Sequence, residues 1–145
     1  MKRIVIVLAA LALASCAGKK TDDSTERWVI VKHVAPGVSG MSDADAAQWH
    51  GRAIILGPDL AIAGPDSCAR PMYHTGPAPA DSVLQAFNVA PGSLGPSMPP
   101  QATVTITQTF CDGETWYAPG ALIIRTSEKH AFTPWNGVFF ELERR

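Results

Sequence analysis

Hydrophobic and polar residues alternate most regularly in the segment 103–110. The apolar positions there, separated by threonines, are Val104, Ile106 and Phe110. This is the period-two pattern of a half-buried antiparallel strand. Segments rich in β-branched or aromatic residues predict further strands over 27–34, 51–56, 60–63, 121–126 and 138–143. In the first of these strands, the residues expected to share one face are Trp28, Ile30 and Val34.

The segments between these strands predict two short helices and two irregular stretches. Ser42 stands three residues before Asp45, close to a capping-box pattern, and opens a helix over 43–49. A second helix is expected over 81–88. The segments 64–79 and 90–100 carry four prolines each and are expected to be largely irregular.

The order of these elements predicts a mainly β fold with minor α content. The helices are too short to serve as crossovers between parallel strands, so consecutive antiparallel hairpins are favoured. Turn signals at Gly57-Pro58-Asp59 and Asp112-Gly113 support that interpretation, and Asn136-Gly137 stands just before the last strand. We therefore expect one domain over 27–145, built as a small antiparallel β-barrel or sandwich with one or two short helices.

The N-terminal residues have the layout of an export signal. Lys2 and Arg3 precede an apolar run from Ile4 to Leu13, and the small residues Ala14 and Ser15 follow. As a helix this run would rise about 15 Å, half of a bilayer's hydrocarbon core, so a stable transmembrane span is not expected.

The tetrapeptide Leu13-Ala14-Ser15-Cys16 resembles the lipobox of bacterial lipoproteins. The resemblance implies cleavage after residue 15, a diacylglycerol on the thiol of Cys16, and acylation of the new amino terminus, commonly by palmitate. Such chains would anchor the protein firmly. Residue 17 is Ala rather than Asp, which in this family implies the outer membrane, facing the periplasm. Residues 16–26 would form the lipidated start and a polar tether, since 19–26 contains no apolar residue.

The three cysteines fit this picture. With Cys16 lipidated, Cys68 and Cys111 remain as an even pair in an oxidising compartment, and we expect them to form a disulfide. Losing Lys2 and Arg3 with the signal leaves an acidic chain, which argues against nucleic acid or anionic lipid head groups as electrostatic partners.

No catalytic or metal-binding motif is found, and no cofactor, metal or catalytic residue is expected. The four histidines lack the short spacings of common metal motifs. Zinc bound by His74, Cys68 and Asp66 is an alternative that the disulfide would exclude. Gly92-Ser93-Leu94-Gly95 does not match the spacing of a hydrolase nucleophile motif. The turn-flanking carboxylates Asp59, Asp66 and Asp112 are interpreted as turn formers.

Aromatic residues next to loops are the candidate binding surface. Trp116 and Tyr117 follow the Asp112-Gly113 turn, and Trp135 follows a proline. Exposed rings at such positions would recognise a glycan, an apolar ligand or a protein. Most of the other aromatic side chains are expected in the core.

Two further resemblances concern the folded part. Trp49-His50-Gly51-Arg52 is similar, in reversed order, to the Gly-x-Trp motif at the start of the first strand of lipocalin-type barrels. This resemblance is an analogy of fold alone and implies no ligand-binding residues. Small disulfide-bearing lipoproteins that inhibit host lysozymes resemble the chain in size, anchoring and β-character. Their Ser-Gly-x-x-Tyr plug is absent, because Ser39-Gly40-Met41-Ser42-Asp43 lacks the tyrosine.

The sequence thus leads to a non-catalytic envelope lipoprotein that binds an envelope protein or a small apolar ligand through its loops. Two alternatives stay open. One is an inhibitor of a lytic enzyme such as lysozyme, and the other is a small envelope hydrolase acting on peptidoglycan or lipid.

Overall fold

The computed structural model of the chain describes residues 24–145. The predicted signal peptide, Cys16 and tether residues 17–23 lie outside this part of the chain. The strands are β1 (Glu26–Val34), β2 (Ala53–Leu56), β3 (Leu60–Ala63), β4 (Asp66–Ala69), β5 (Met72–Pro79), β6 (Thr103–Cys111), β7 (Glu114–Thr115), β8 (Leu122–Arg125), β9 (His130–Trp135) and β10 (Val138–Arg144). The helices are α1 (Asp43–Ala47) and α2 (Ala80–Ala86).

The strands form one antiparallel sheet that curls into a half-barrel. Its order is β4-β3-β2-β1-β10-β9-β8-β6-β5, and the short β7 pairs with β6. The predicted mainly antiparallel β fold with two short helices is therefore confirmed. Neither of the helices in residues 24–145 is long and apolar enough to cross a bilayer.

Each face of the curled sheet packs against a core of its own. The inner cluster is centred on Trp28, Ile54, Phe140 and Leu142, all fully buried or nearly so. The outer cluster joins Phe132 and Phe139 to α2 and to the proline-rich segment after it, which contributes Leu94 and Met98. The irregular segment 90–100 is thus a packing element that covers the outer face of the sheet.

A β-bulge in β1 changes which residues share a face. The pairing of β1 with β10 shifts between Ile30 and Lys32, so that Val31 is an extra residue. Trp28 and Ile30 belong to the inner cluster, whereas Val34 packs against the outer one. The expectation that Trp28, Ile30 and Val34 share one face is therefore wrong.

The segment 64–79, expected to be irregular, contains two strands, and that expectation is also wrong. β4 pairs with β3, and β5 pairs along its whole length with β6. Pro77 and Pro79 fit into β5 because it is the last strand of the sheet, and an edge strand has a side on which a missing N–H costs no ladder hydrogen bond.

The predicted disulfide between Cys68 and Cys111 is present and joins opposite sides of the half-barrel. Cys68 lies in the edge strand β4, and Cys111 ends β6, next to the other edge strand. The hydroxyl of Tyr73 on β5 also reaches across and donates a hydrogen bond of 2.8 Å to the carbonyl of Gly57. In the chain-entropy model, a disulfide of this sequence separation adds about 4 kcal/mol to the free energy of unfolding.

Candidate functional site

The three aromatic residues proposed as a binding surface separate into one buried ring and two accessible ones. Trp116 is 6% exposed and belongs to the inner core, so it offers no ring for recognition. Tyr117 is 80% exposed. Its ring lies 4.8 Å from the ring of Trp135, edge to face. Burial alternates along this stretch, because Trp116 and Ala118 are buried whereas Tyr117 between them is exposed.

Tyr117 and Trp135 lie at one side of the aromatic groove, a surface depression of about 670 Å³. Its other walls come from the loop after β1, the end of α2 and the β9–β10 turn: Pro36, Gly37, Val38, Phe87, Asn88, Val89, Pro134, Asn136, Gly137 and Phe139. None of these lining residues carries a charged side chain, and Val38 is 99% exposed. Apolar side chains exposed together in this way are typical of a docking surface.

Gly137, one of the residues that line the aromatic groove, lies very close to the backbone of the Val38 loop. Asn136 and Gly137 both have positive φ and form the two-residue turn between β9 and β10. Gly40 donates its backbone N–H to the carbonyl of Asn136 at 2.9 Å. A Cβ on Gly137 would stand 2.5 Å from the carbonyl oxygen of Val38. Glycine at this position therefore leaves room for the Val38 loop to lie against the turn.

A second depression, the edge cleft, lies where the two edges of the sheet approach each other. It measures about 330 Å³ and is lined by Ser24, Glu26, Leu56, Gly57, Pro58, Pro71, Tyr73, Thr75, Thr107 and Arg125. Arg125 contacts both carboxylate oxygens of Glu26, at 2.8 and 2.6 Å, and the indole N–H of Trp28 also donates to Glu26. The hydroxyls of Thr75 and Thr107 are 3.0 Å apart.

The polar groups of the edge cleft are mostly satisfied by one another. The guanidinium Nε of Arg125 is the exception, since it is buried with no hydrogen-bond partner among residues 24–145. Burial, and to a smaller extent the nearby negative charge of Glu26, together raise the pKa of the Tyr73 phenol to about 12. The polar groups of the edge cleft thus connect the two edges of the sheet through hydrogen bonds such as that from Tyr73 to Gly57.

Two of the four histidines, His33 and His50, lie together, although their spacing along the chain does not reveal it. Nδ1 of His33 lies 2.8 Å from Nε2 of His50, and Nε2 of His33 lies 2.8 Å from a carboxylate oxygen of Asp43. The bulge at Val31 brings His33 into this position beside the ring of Phe140. His74, by contrast, packs against Phe110. The backbone N–H of His130 donates a hydrogen bond to the hydroxyl oxygen of Ser127.

The other predicted chemistries are not assembled in the part of the chain from residue 24 onward. There, no three or more His, Cys, Asp or Glu side chains are grouped around a common point that could hold a metal. Cys68 is in the disulfide, so the alternative zinc site with His74 and Asp66 lacks its thiolate. The hydrogen bonds of His33 and His50 join them to each other and to Asp43, with no serine in the chain of contacts.

Comparisons of the chain with known protein families, with curated proteins and with solved structures give no significant match.

Proposed function

We propose that the protein is a non-catalytic lipoprotein of the bacterial cell envelope, anchored through Cys16, that binds another envelope protein through the aromatic groove. The anchoring part of this proposal rests on Leu13-Ala14-Ser15-Cys16 and the short apolar run before it. The binding part rests on the exposed Tyr117 ring packed against Trp135. Tyrosine and tryptophan are the side chains that most often dominate the binding energy of protein interfaces.

The composition of the aromatic groove favours an extended, uncharged peptide segment as its ligand. With no charged side chain in its lining, the groove would leave a charged group of a ligand without a partner, which is costly once water is excluded. Asn88 and Asn136 carry amides that both donate and accept hydrogen bonds, as the backbone of an extended peptide requires. Aromatic-lined grooves recognise extended, proline-containing segments in this way.

Co-purification from detergent-solubilised envelopes tests the proposal. The full-length protein is compared with Tyr117→Ala and with Met72→Ala, which removes a 52% exposed apolar side chain on the distant strand β5. We expect the wild type and Met72→Ala to recover the same partner protein equally. Loss of a hot-spot ring should lower recovery by Tyr117→Ala roughly tenfold or more. Equal recovery by all three proteins, or recovery of no partner, would refute the proposal.

The inhibitor alternative is tested in the same experiment. If the partner recovered through the aromatic groove is a lytic enzyme, the purified lipoprotein should reduce the activity of that enzyme, and Tyr117→Ala should reduce it less.

A further inference from the structure

We propose that His33 and His50 form a binding site for a late first-row divalent transition metal, with copper(II) bound most tightly, and that Asp43 is its positioning residue. The two ring nitrogens that face each other are 2.8 Å apart. The second ring nitrogen of His33 is held by Asp43 at 2.8 Å. Metal-binding histidines characteristically donate their other ring N–H to a carboxylate in this manner.

The positions of the protons follow from the hydrogen bonds. Asp43 accepts the proton on Nε2 of His33, so that Nδ1 of a neutral His33 carries a lone pair directed at His50. In one tautomer of His50 the proton is on Nε2, which donates it to Nδ1 of His33. That proton then lies between the two rings, and no metal can bind there. In the other tautomer of His50 the proton is on Nδ1, and the two lone pairs then face each other across the 2.8 Å gap, so that each ring has to turn for both nitrogens to bind one metal ion beside this gap.

The distance between the rings is close to what a metal needs. Metal–nitrogen bonds of about 2.0–2.1 Å place two adjacent ligands about 3 Å apart. The 2.8 Å separation of the two nitrogens therefore has to increase by only a few tenths of an ångström. His33 is 12% exposed at its side chain, whereas His50 is exposed, so solvent reaches the site from one side.

The backbone holds the two histidines in this arrangement. Gly51, which follows His50, donates to the carbonyl of Ile30 at 2.8 Å, and Ile30 donates to the carbonyl of Arg52 at 3.0 Å. The same stretch of β1 contains the bulge that directs His33 toward His50. Because the backbone next to both ligands is already fixed, little backbone entropy is lost when a metal binds.

The ligand types select the metal. Neutral imidazole nitrogens suit copper, zinc and nickel, and for a given set of nitrogen ligands the affinity is highest for copper(II). Magnesium and calcium prefer oxygen ligands and are not expected to bind. Within residues 24–145 no group of three or more His, Cys, Asp or Glu side chains could hold a metal directly, and Asp43 contacts the far nitrogen of His33, so water completes the coordination.

The site is tested by titrating the untagged full-length protein in detergent with copper(II). Calorimetry measures the affinity and the stoichiometry, and electron paramagnetic resonance identifies the ligands of the bound copper. We expect one equivalent to bind, with hyperfine coupling from two imidazole nitrogens. His50→Ala should weaken binding at least tenfold and remove one nitrogen from the spectrum. Asp43→Ala should weaken binding about 10–100-fold and keep both nitrogens. The matched controls His74→Ala and Asp59→Ala, exposed and away from the pair, should bind as the wild type does.

His50→Ala is the decisive variant, because His50 is exposed and its loss leaves the cores intact. Absence of copper binding by the wild type would overturn the proposal. Unchanged affinity and an unchanged spectrum in His50→Ala would overturn it as well, because the copper would then be held elsewhere.

Discussion

The phenolic hydroxyl of Tyr73 donates a hydrogen bond of 2.8 Å to the carbonyl oxygen of Gly57, across the gap between the two edges of the sheet. Burial in the edge cleft, together with the negative charge of Glu26, raises the pKa of Tyr73 from 10.0 to about 12. A raised pKa means that the folded protein holds the proton more tightly than the unfolded chain does. The resulting stabilisation is complete below pH 10 and is lost as the pH rises to about 12.

Tyr73 can be titrated alone, because the chain has only two tyrosines. In Tyr117→Phe, the ultraviolet absorption of phenolate should appear with a midpoint near pH 12, the raised pKa of Tyr73. In Tyr73→Phe, unfolding by urea should depend less on pH between 10 and 12 than in the wild type. A phenolate midpoint at the ordinary value of 10.0 in Tyr117→Phe would contradict the burial of Tyr73 in the edge cleft beside Glu26.

The ion pair between Glu26 and Arg125 should be far more important for stability than the surface pairs. Both side chains are only about one-fifth exposed, at 22% and 21%. Glu26→Ala leaves the guanidinium and the Trp28 indole N–H without their acceptor, and we expect a loss of about 3 kcal/mol in the free energy of unfolding. Glu143→Ala removes an exposed pair with Arg145 and should cost about 0.5 kcal/mol or less. Equal losses in urea unfolding would be inconsistent with this account.

Two glycines with similar positive φ allow the cost of backbone strain to be measured separately from the cost of steric overlap. Gly113 and Gly137 have φ of 86° and 80°, but a Cβ meets no atom within 4 Å at Gly113 and stands 2.5 Å from the Val38 carbonyl at Gly137. Gly113→Ala should cost about 1 kcal/mol from the positive φ alone. Gly137→Ala should cost about 3 kcal/mol, because the Val38 loop must move, and it should also weaken partner binding. Thermal unfolding of the two variants measures the difference, and similar losses would contradict the close approach.

Lipidation at Cys16 is tested by labelling cells with palmitate. Cys16→Ser should lose the label, keep its signal peptide and change its distribution between membrane and soluble fractions. Cys68→Ser is the control, because its thiol is in the disulfide, and it should retain the label. A Cys16→Ser protein that is processed and fractionates normally would refute the lipoprotein assignment.

Most of the architecture could be predicted from the pattern of apolar residues, and its failures have identifiable causes. The strand β9 does not follow from the apolar pattern, although Asn136-Gly137 is a typical two-residue hairpin turn and indicates a strand on each side. Pro77 and Pro79 favour a loop in the sequence, but the structure accommodates them in β5 because an edge strand tolerates proline.

The functional surfaces were harder to predict, because they depend on how the chain folds back on itself. Tyr117 and Trp135 could be proposed from their places next to turns, yet only the packing separates them from the buried Trp116. The contact between His33 and His50, 17 positions apart, depends on the bulge at Val31. No glycine or proline within 26–34 marks that bulge. The alternation of apolar and polar residues alone therefore places the residues after the bulge on the wrong face of the sheet.

The most direct test of partner binding through the aromatic groove is photo-cross-linking in living cells. A benzophenone amino acid replaces Tyr117 in the full-length protein, and in a control it replaces Leu60, which is 43% exposed on β3 and outside the groove. We predict that irradiation joins the position-117 protein to one envelope protein, and that Trp135→Ala or Gly137→Ala abolishes this adduct. The control position should give no such adduct. An absence of protein adducts at position 117, or the same adducts from position 60, would contradict the proposed function.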